Sequence, residues 1–108
     1  MSLIAAAVLD QSGGNLAPYA KSLPLTVRKL ELADPRPGEM LVRIDAAGVC
    51  HSDLSVINGD RPRPMPMALG HEAAATILAV GAGHDPDFAV GDRVVLFFLP
   101  ACGRCASC

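Results

Sequence analysis

Apolar residues in this chain come in short runs, and the breaks between the runs fall at glycine and proline. Residues 4–9 are an unbroken apolar run of strand length, and residues 25–32 partly alternate, so both read as strands and an antiparallel opening is predicted. The cluster Gly13, Gly14, Asn15 marks a turn between them. Residues 34–39 hold two prolines and a glycine and must turn, after which residues 40–47 run as the next strand until Gly48, with Cys50 at its exit. Ser52 or Asp53 can cap a short helix over residues 54–57, closed by Asn58 and Gly59 through a left-handed turn. Three alternating prolines, Pro62, Pro64 and Pro66, make residues 61–67 an extended, exposed loop leading to Gly70, His71 and Glu72. Residues 74–80 and 93–99 read as strands flanking a turn region at 81–91, and nothing in residues 1–3 demands a place in the fold.

Composition fits this β-rich pattern. A length of 108 residues suits one domain with one core, and such a chain buries roughly two-thirds of its unfolded surface. Hydrophobic residues make up 51% but aromatics only 4%, with no Trp, so the core must be packed from Ala, Val, Leu and Ile. A net charge of -2 with scattered Lys and Arg offers no footprint for nucleic acid or an anionic membrane. No apolar run approaches the ~20 residues of a membrane span, and the first apolar stretch has no basic leader, so a soluble, cytoplasmic protein is expected.

The four cysteines carry the candidate chemistry. Cys102, Cys105 and Cys108 form two successive Cys-x-x-Cys steps, one thiolate short of a closed tetrahedral zinc site. With no export signal, reduced metal-binding thiols are expected rather than disulfides, and a redox pair with a spare thiol is the competing reading. Upstream, Cys50 and His71 sit at strand edges, where one thiolate and one neutral imidazole suit zinc but need a third ligand. The alternative is a buried small Cys50 and a hydrogen-bonded turn histidine. Asp53 and Glu72 lie close enough in sequence to orient a ligating imidazole, and Ser52 could relay a proton, although helix capping accounts equally for Ser52 and Asp53. Gly81, Ala82 and Gly83 do not make a dinucleotide fingerprint, because the third glycine is missing and Pro86 blocks the following helix.

Four segments in order resemble the zinc-dependent alcohol dehydrogenases of the medium-chain dehydrogenase/reductase superfamily, in their N-terminal GroES-like catalytic domain. They are Gly48-Val49-Cys50-His51-Ser52-Asp53, Gly70-His71-Glu72-Ala73-Ala74, Gly91-Asp92-Arg93-Val94-Val95 and the stretch from Pro100 to Cys108. The resemblance covers nearly the whole chain from about Ile4. It implies a mainly β, GroES-like, partly open β-barrel with one or two short helices over residues 1–108. It further implies a domain cut inside the structural zinc lobe, with the Rossmann domain absent.

By the same resemblance, Cys50 and His71 ligate a catalytic zinc with a cysteine from beyond residue 108, and Cys102, Cys105 and Cys108 are three of four structural zinc ligands. Asp53 accepts from the His71 ring, Glu72 supports the site, Ser52 takes the proton of the zinc-bound alcohol, and His51 faces the pyrophosphate of NAD or NADP. Phe98 lines the substrate pocket, with Arg61 where several members place an apolar pocket residue. The implied reaction is hydride transfer between a small alcohol and the nicotinamide, giving an aldehyde or ketone, or the reverse, in a homodimer or homotetramer; this chain alone would be inactive. Besides Arg61, three positions depart from the family pattern: Ala75 replaces a glycine, His84 a small apolar residue, and Ser55 the histidine that ends the proton relay in some members. Rival readings are a free-standing zinc-binding or interaction module without catalysis and a metal-free, co-chaperonin-like ring protein.

Overall fold

Eight elements follow one another along the chain: β1 (Ser2–Leu9), α1 (Tyr19–Ser22), β2 (Leu25–Leu32), β3 (Met40–Ala47), α2 (His51–Ile57), β4 (Met67–Ala68), β5 (Ala73–Val80) and β6 (Arg93–Leu96). The structure is a computed structural model that describes residues 1–107. It comprises two units, one of residues 1–34 and 49–70, the other of residues 35–48 and 71 onward. Each is built on one three-stranded antiparallel sheet, ordered β2-β1-β4 in the first and β3-β5-β6 in the second. The architecture is mainly β with two short helices, and neither sheet closes into a barrel. No helix of the described residues is long and apolar enough to cross a membrane.

In the first unit β1 is the central strand of the sheet, and it is buried only at its end, at Val8 and Leu9, while Leu3 and Ala5 are exposed. It pairs with β2 along its whole length, from Ser2 opposite Leu32 to Leu9 opposite Leu25, and with β4 at Val8 and Leu9. Leu9 is fully buried and forms a core with Val56 and Ile57 of α2, flanked by Tyr19, Met65, Met67 and Leu69. The last carbonyls of α2 would otherwise lack partners. The predicted turn around Gly13 supplies them: Ser12 Oγ donates to Val56 O at 2.7 Å, while Gly13 N and Asn15 Nδ2 donate to Ile57 O at 3.1 and 2.8 Å. Gly59, with φ of 90°, closes α2 in the left-handed conformation expected of it, and a Cβ there would come within 2.9 Å of Gly13 Cα.

Several boundaries differ from the sequence reading. β1 begins at Ser2, so residues 2 and 3 do have a place, opposite Leu32 and Glu31. α2 begins at His51 rather than Leu54, with Cys50 as its N-cap, because Asp53 acts from inside the first turn. The proline loop is not wholly exposed: Met65 and Met67 turn onto the core, and Met67 enters the edge strand β4, a position that three prolines still permit. The single turn α1 follows Pro18, and its four residues are too few for a periodic signal.

The second unit packs around β5, where Ala75 and Ile77 are buried. The prolines and glycine of residues 35–39 form the predicted turn, with Glu39 N donating to Arg36 O at 2.9 Å and Gly38 at φ of 79°. Gly91 N donates to Ile77 O and Ile77 N to Asp92 O, both at 2.9 Å, which docks the Gly-Asp segment on β5. The strand predicted over 93–99 stops at Leu96. Leu96 lies opposite Ala73, the first residue of β5, so residues 97–99 have no strand left to pair with. Phe97 and Phe98 instead contact each other, ring centroids 4.8 Å apart, and both are exposed.

Candidate metal and catalytic residues

Gly48 ends β3, and two residues later the chain turns into α2 with Cys50 in an extended conformation. The Asp53 carboxylate accepts from Cys50 N at 3.4 Å, and Asp53 N donates to Cys50 O at 3.1 Å, so Asp53 ties down the helix start. Cys50 Sγ lies 3.5 Å from Ser52 Oγ. Thus Cys50, Ser52 and Asp53 are held together on one helical turn, all half-buried. Neither Ser52 nor Asp53 is the N-cap expected of them: Cys50 takes that place, Asp53 bonds back to it from the third position of the helix, and the Ser52 hydroxyl meets the Cys50 thiol.

His51 lies exposed on the same helix. Ser55 Oγ donates to His51 O at 3.2 Å and is 3.5 Å from His51 Nδ1. The residue that departs from the family pattern at position 55 is therefore engaged with His51. Arg61 is exposed, and its amide donates to Ser55 O at 2.9 Å.

In the second unit, His71 and Glu72 immediately precede β5. Both are half-buried, with His71 Nε2 4.0 Å from Glu72 Oε1. Glu72 O accepts from Gly48 N at 2.9 Å, and a Cβ on Gly48 would stand 3.1 Å from Glu72 Oε2, so the bare glycine leaves room for that carboxylate. Phe98 is 56% exposed and lies past the end of β6. Among the cysteines, Cys102 Sγ and Cys105 Sγ are 3.4 Å apart and exposed, and Arg104 N donates to Cys102 Sγ at 3.4 Å. Cys108 lies outside the described residues.

The sequence reading did not single out one polar cluster in this unit. Register irregularity in β3 leaves Asp45 between Ile44, opposite Ala75, and Ala46, opposite Ala74. Its carboxylate accepts from Thr76 Oγ1 at 2.6 Å and Arg43 Nε at 3.0 Å. Those hydrogen bonds, Thr76 first and then Arg43, hold its pKa below the ordinary carboxylate value, with the charges of Arg43 and Arg93 acting in the same direction. No local signal links residues 45 and 76; only the strand register does.

The family model for the alcohol dehydrogenase GroES-like domain matches residues 36–108. The chain belongs to this family. It is 46% identical over 86 residues to alcohol dehydrogenase B of Mycobacterium tuberculosis, which covers 79% of the chain and 23% of that relative. It is 45% identical over 90 residues to the NDMA-dependent alcohol dehydrogenase of Amycolatopsis methanolica, covering 83% and 24%. Among solved structures, the benzyl alcohol dehydrogenase of Acinetobacter calcoaceticus aligns with all of the chain and 27% of its own length, at 34% identity and a TM-score of 0.82. An alcohol dehydrogenase zinc-binding domain protein from Burkholderia ambifaria aligns with 99% of the chain and 26% of its own, at 39% identity and a TM-score of 0.82. The chain thus spans about a quarter of the length of these relatives, and the open sheets fit a partly open GroES-like domain.

The donor set is compatible with zinc. Two exposed thiols 3.4 Å apart, one receiving a backbone N–H, resemble one edge of a tetrahedral thiolate site, where Zn–S distances near 2.3 Å place neighbouring sulfurs a little under 4 Å apart. Cys50 and His71 supply a thiol and an imidazole, each half-buried beside a carboxylate close in sequence.

Proposed function

We propose that the protein carrying this chain is an NAD(P)-dependent zinc alcohol dehydrogenase that interconverts small alcohols with aldehydes or ketones. The observation that carries this is the first turn of α2, which holds the Cys50 thiol, the Ser52 hydroxyl and the Asp53 carboxylate together in a chain 46% identical to a named alcohol dehydrogenase. Cys50 and His71 are the ligands this chain would give to a catalytic zinc, and Cys102, Cys105 and Cys108 those for a structural zinc. When bound, the catalytic metal supplies Lewis acidity that makes an alcohol hydroxyl easier to deprotonate.

The chain's own groups then divide the work. Ser52, 3.5 Å from the Cys50 sulfur, is placed beside the proposed ligand and takes the substrate hydroxyl proton. Asp53 fixes Cys50 through its amide and so sets where the sulfur points. Glu72, given room by Gly48, adds negative charge next to His71. His51 would serve the cofactor pyrophosphate, and Phe98 and Arg61 would be substrate-pocket residues.

The complete gene product should form NAD(P)H from a panel of primary and secondary alcohols. Ser52→Ala should lower kcat by about 10²–10⁴-fold without changing zinc content, while Cys50→Ser should lose a zinc equivalent. Absence of alcohol-dependent cofactor reduction, or a Ser52→Ala variant at full rate, would sink the proposal.

A further inference from the structure

β2 is an edge strand along its whole length. All eight of its residues, Leu25–Leu32, pair with β1 in unbroken register, and among the described residues no strand pairs with its other side. In an antiparallel ladder alternate residues turn their N–H and C=O groups to opposite neighbours, so half of the β2 backbone groups face outward along this edge. The other outer strands are less open to pairing. β4 and β6 hold two and four residues, and β3 has register breaks at Leu41/Val42 and Ile44/Ala46, with Arg43 Nε donating to Asp45 at 3.0 Å. β2 also carries charge that its own sheet does not answer. Lys29 and Glu31 are exposed on one face, and the β1 residues opposite them are Ala5 and Leu3, which offer no counter-charge. Arg28, on the other face, is engaged by Asp10.

We propose that the outer edge of β2 pairs antiparallel with β2 of a second copy of this chain, about a two-fold axis at Leu30. Symmetry restricts the register. Residues opposite one another must both turn their backbone groups toward the other strand or both away, so the two residue numbers add to an even number and one residue lies on the axis. With Arg28, Lys29 or Glu31 on the axis, that side chain meets its own copy, and like charges directly opposite are unfavourable. With Val27 there, Lys29 falls opposite Leu25 and Glu31 lies beyond the end of the ladder. With Leu30 there, Lys29 of each copy stands opposite Glu31 of the other, Leu30 opposite Leu30 and Arg28 opposite Leu32. Two unlike-charge pairs then form by symmetry, with apolar contact at the axis. The two three-stranded sheets become one continuous sheet. The ladder runs only from Arg28 to Leu32, so association is reversible and concentration-dependent. This pairing uses none of the residues proposed for zinc, proton transfer, cofactor or substrate, and it does not rest on the dehydrogenase reading.

Charge exchange tests both the edge and its register. Sedimentation velocity of the reduced chain over a concentration series should show a reversible monomer–dimer equilibrium. Lys29→Glu sets two acidic residues opposite each other at both symmetric positions, and Glu31→Lys sets two basic ones, so each variant alone should dimerise about tenfold more weakly. Both positions are exposed, so neither change disturbs the core. An equimolar mixture of the two variants restores unlike charges at both positions and should form a heterodimer as tight as the wild-type dimer. The double variant Lys29→Glu/Glu31→Lys should recover self-association in the same way. A chain that stays monomeric throughout the series would leave the edge to another occupant and overturn the proposal. So would single variants that dimerise like wild type, or a mixture that associates no better than either variant alone.

Discussion

Gly81 lays its bare Cα against the backbone of Arg36. A methyl group there would overlap the Arg36 carbonyl oxygen, with the Arg36 carbonyl carbon at 2.8 Å and the Glu39 oxygen at 3.1 Å, and Gly81 N donates to that Glu39 oxygen at 2.8 Å. Both sides of the clash are backbone, so no rotamer change relieves it. Gly81→Ala should therefore cost about 3 kcal/mol, at the upper end of ordinary overpacking. Gly83→Ala, at φ of 68° with open space around it, should cost only about 1–2 kcal/mol of left-handed backbone strain. Urea midpoints of the two variants decide the order, and a Gly81→Ala chain as stable as wild type contradicts the close approach.

The Asp45 carboxylate gives a pH signature. Its folded pKa lies below the unfolded value, chiefly through the Thr76 hydroxyl and then Arg43, so it binds protons less readily when folded. Its contribution is fully present above the unfolded value of about 3.9 and disappears as pH falls through the lower folded one. Glu39 behaves in the same sense, held down first by its side-chain hydrogen bond with Arg36 and then by the Arg36 amide. Carbon-detected NMR titration should show the Asp45 pKa rising toward the ordinary value in Thr76→Val while that of Glu39 stays put. An unmoved Asp45 titration would remove the Thr76 bond from the account.

The core is small, so single large side chains in it matter. Leu9 and Ile77 are both 0% exposed, one in each unit, whereas Val95 is 80% exposed. Leu9→Ala and Ile77→Ala should each cost about 2–5 kcal/mol, and Val95→Ala less than about 0.5 kcal/mol. Denaturant titration of the three variants tests the ranking.

The turn that closes α2 predicts a smaller loss. Ser12→Ala removes the 2.7 Å hydrogen bond to Val56 O, and Asn15→Ala removes the bond to Ile57 O together with one to Gln11 O. Each should cost about 1 kcal/mol, with amide exchange quickening over the last turn of α2 and not over β5. Uniform acceleration across both units would argue against a local capping role.

Zinc should shield the thiols it engages. One equivalent of zinc should slow alkylation of Cys102 and Cys105 relative to the chelator-treated chain, as metal-bound thiolates react less readily than free ones. Equal alkylation rates would remove these two cysteines from the proposed metal set.

What the sequence determined by itself is what short-range chemistry decides. Proline and glycine placed the turns at Pro35 to Glu39 and at Gly59, and apolar runs placed β2 and β3 at the observed ends. The order of Cys50, His71 and the cysteine steps pointed to the family, because liganding residue types and spacing are written directly in the chain. Strand ends that depend on a partner were not legible. β6 stops at Leu96 only because β5 begins at Ala73, a fact of pairing between residues more than twenty positions apart. Likewise Asp53 acts from the first turn of α2 on the Cys50 amide, which moved the helix start three residues earlier, and Asp45 meets Thr76 only through the register of β3 on β5. Tertiary structure decided these because hydrogen bonding between distant segments leaves no mark in local composition.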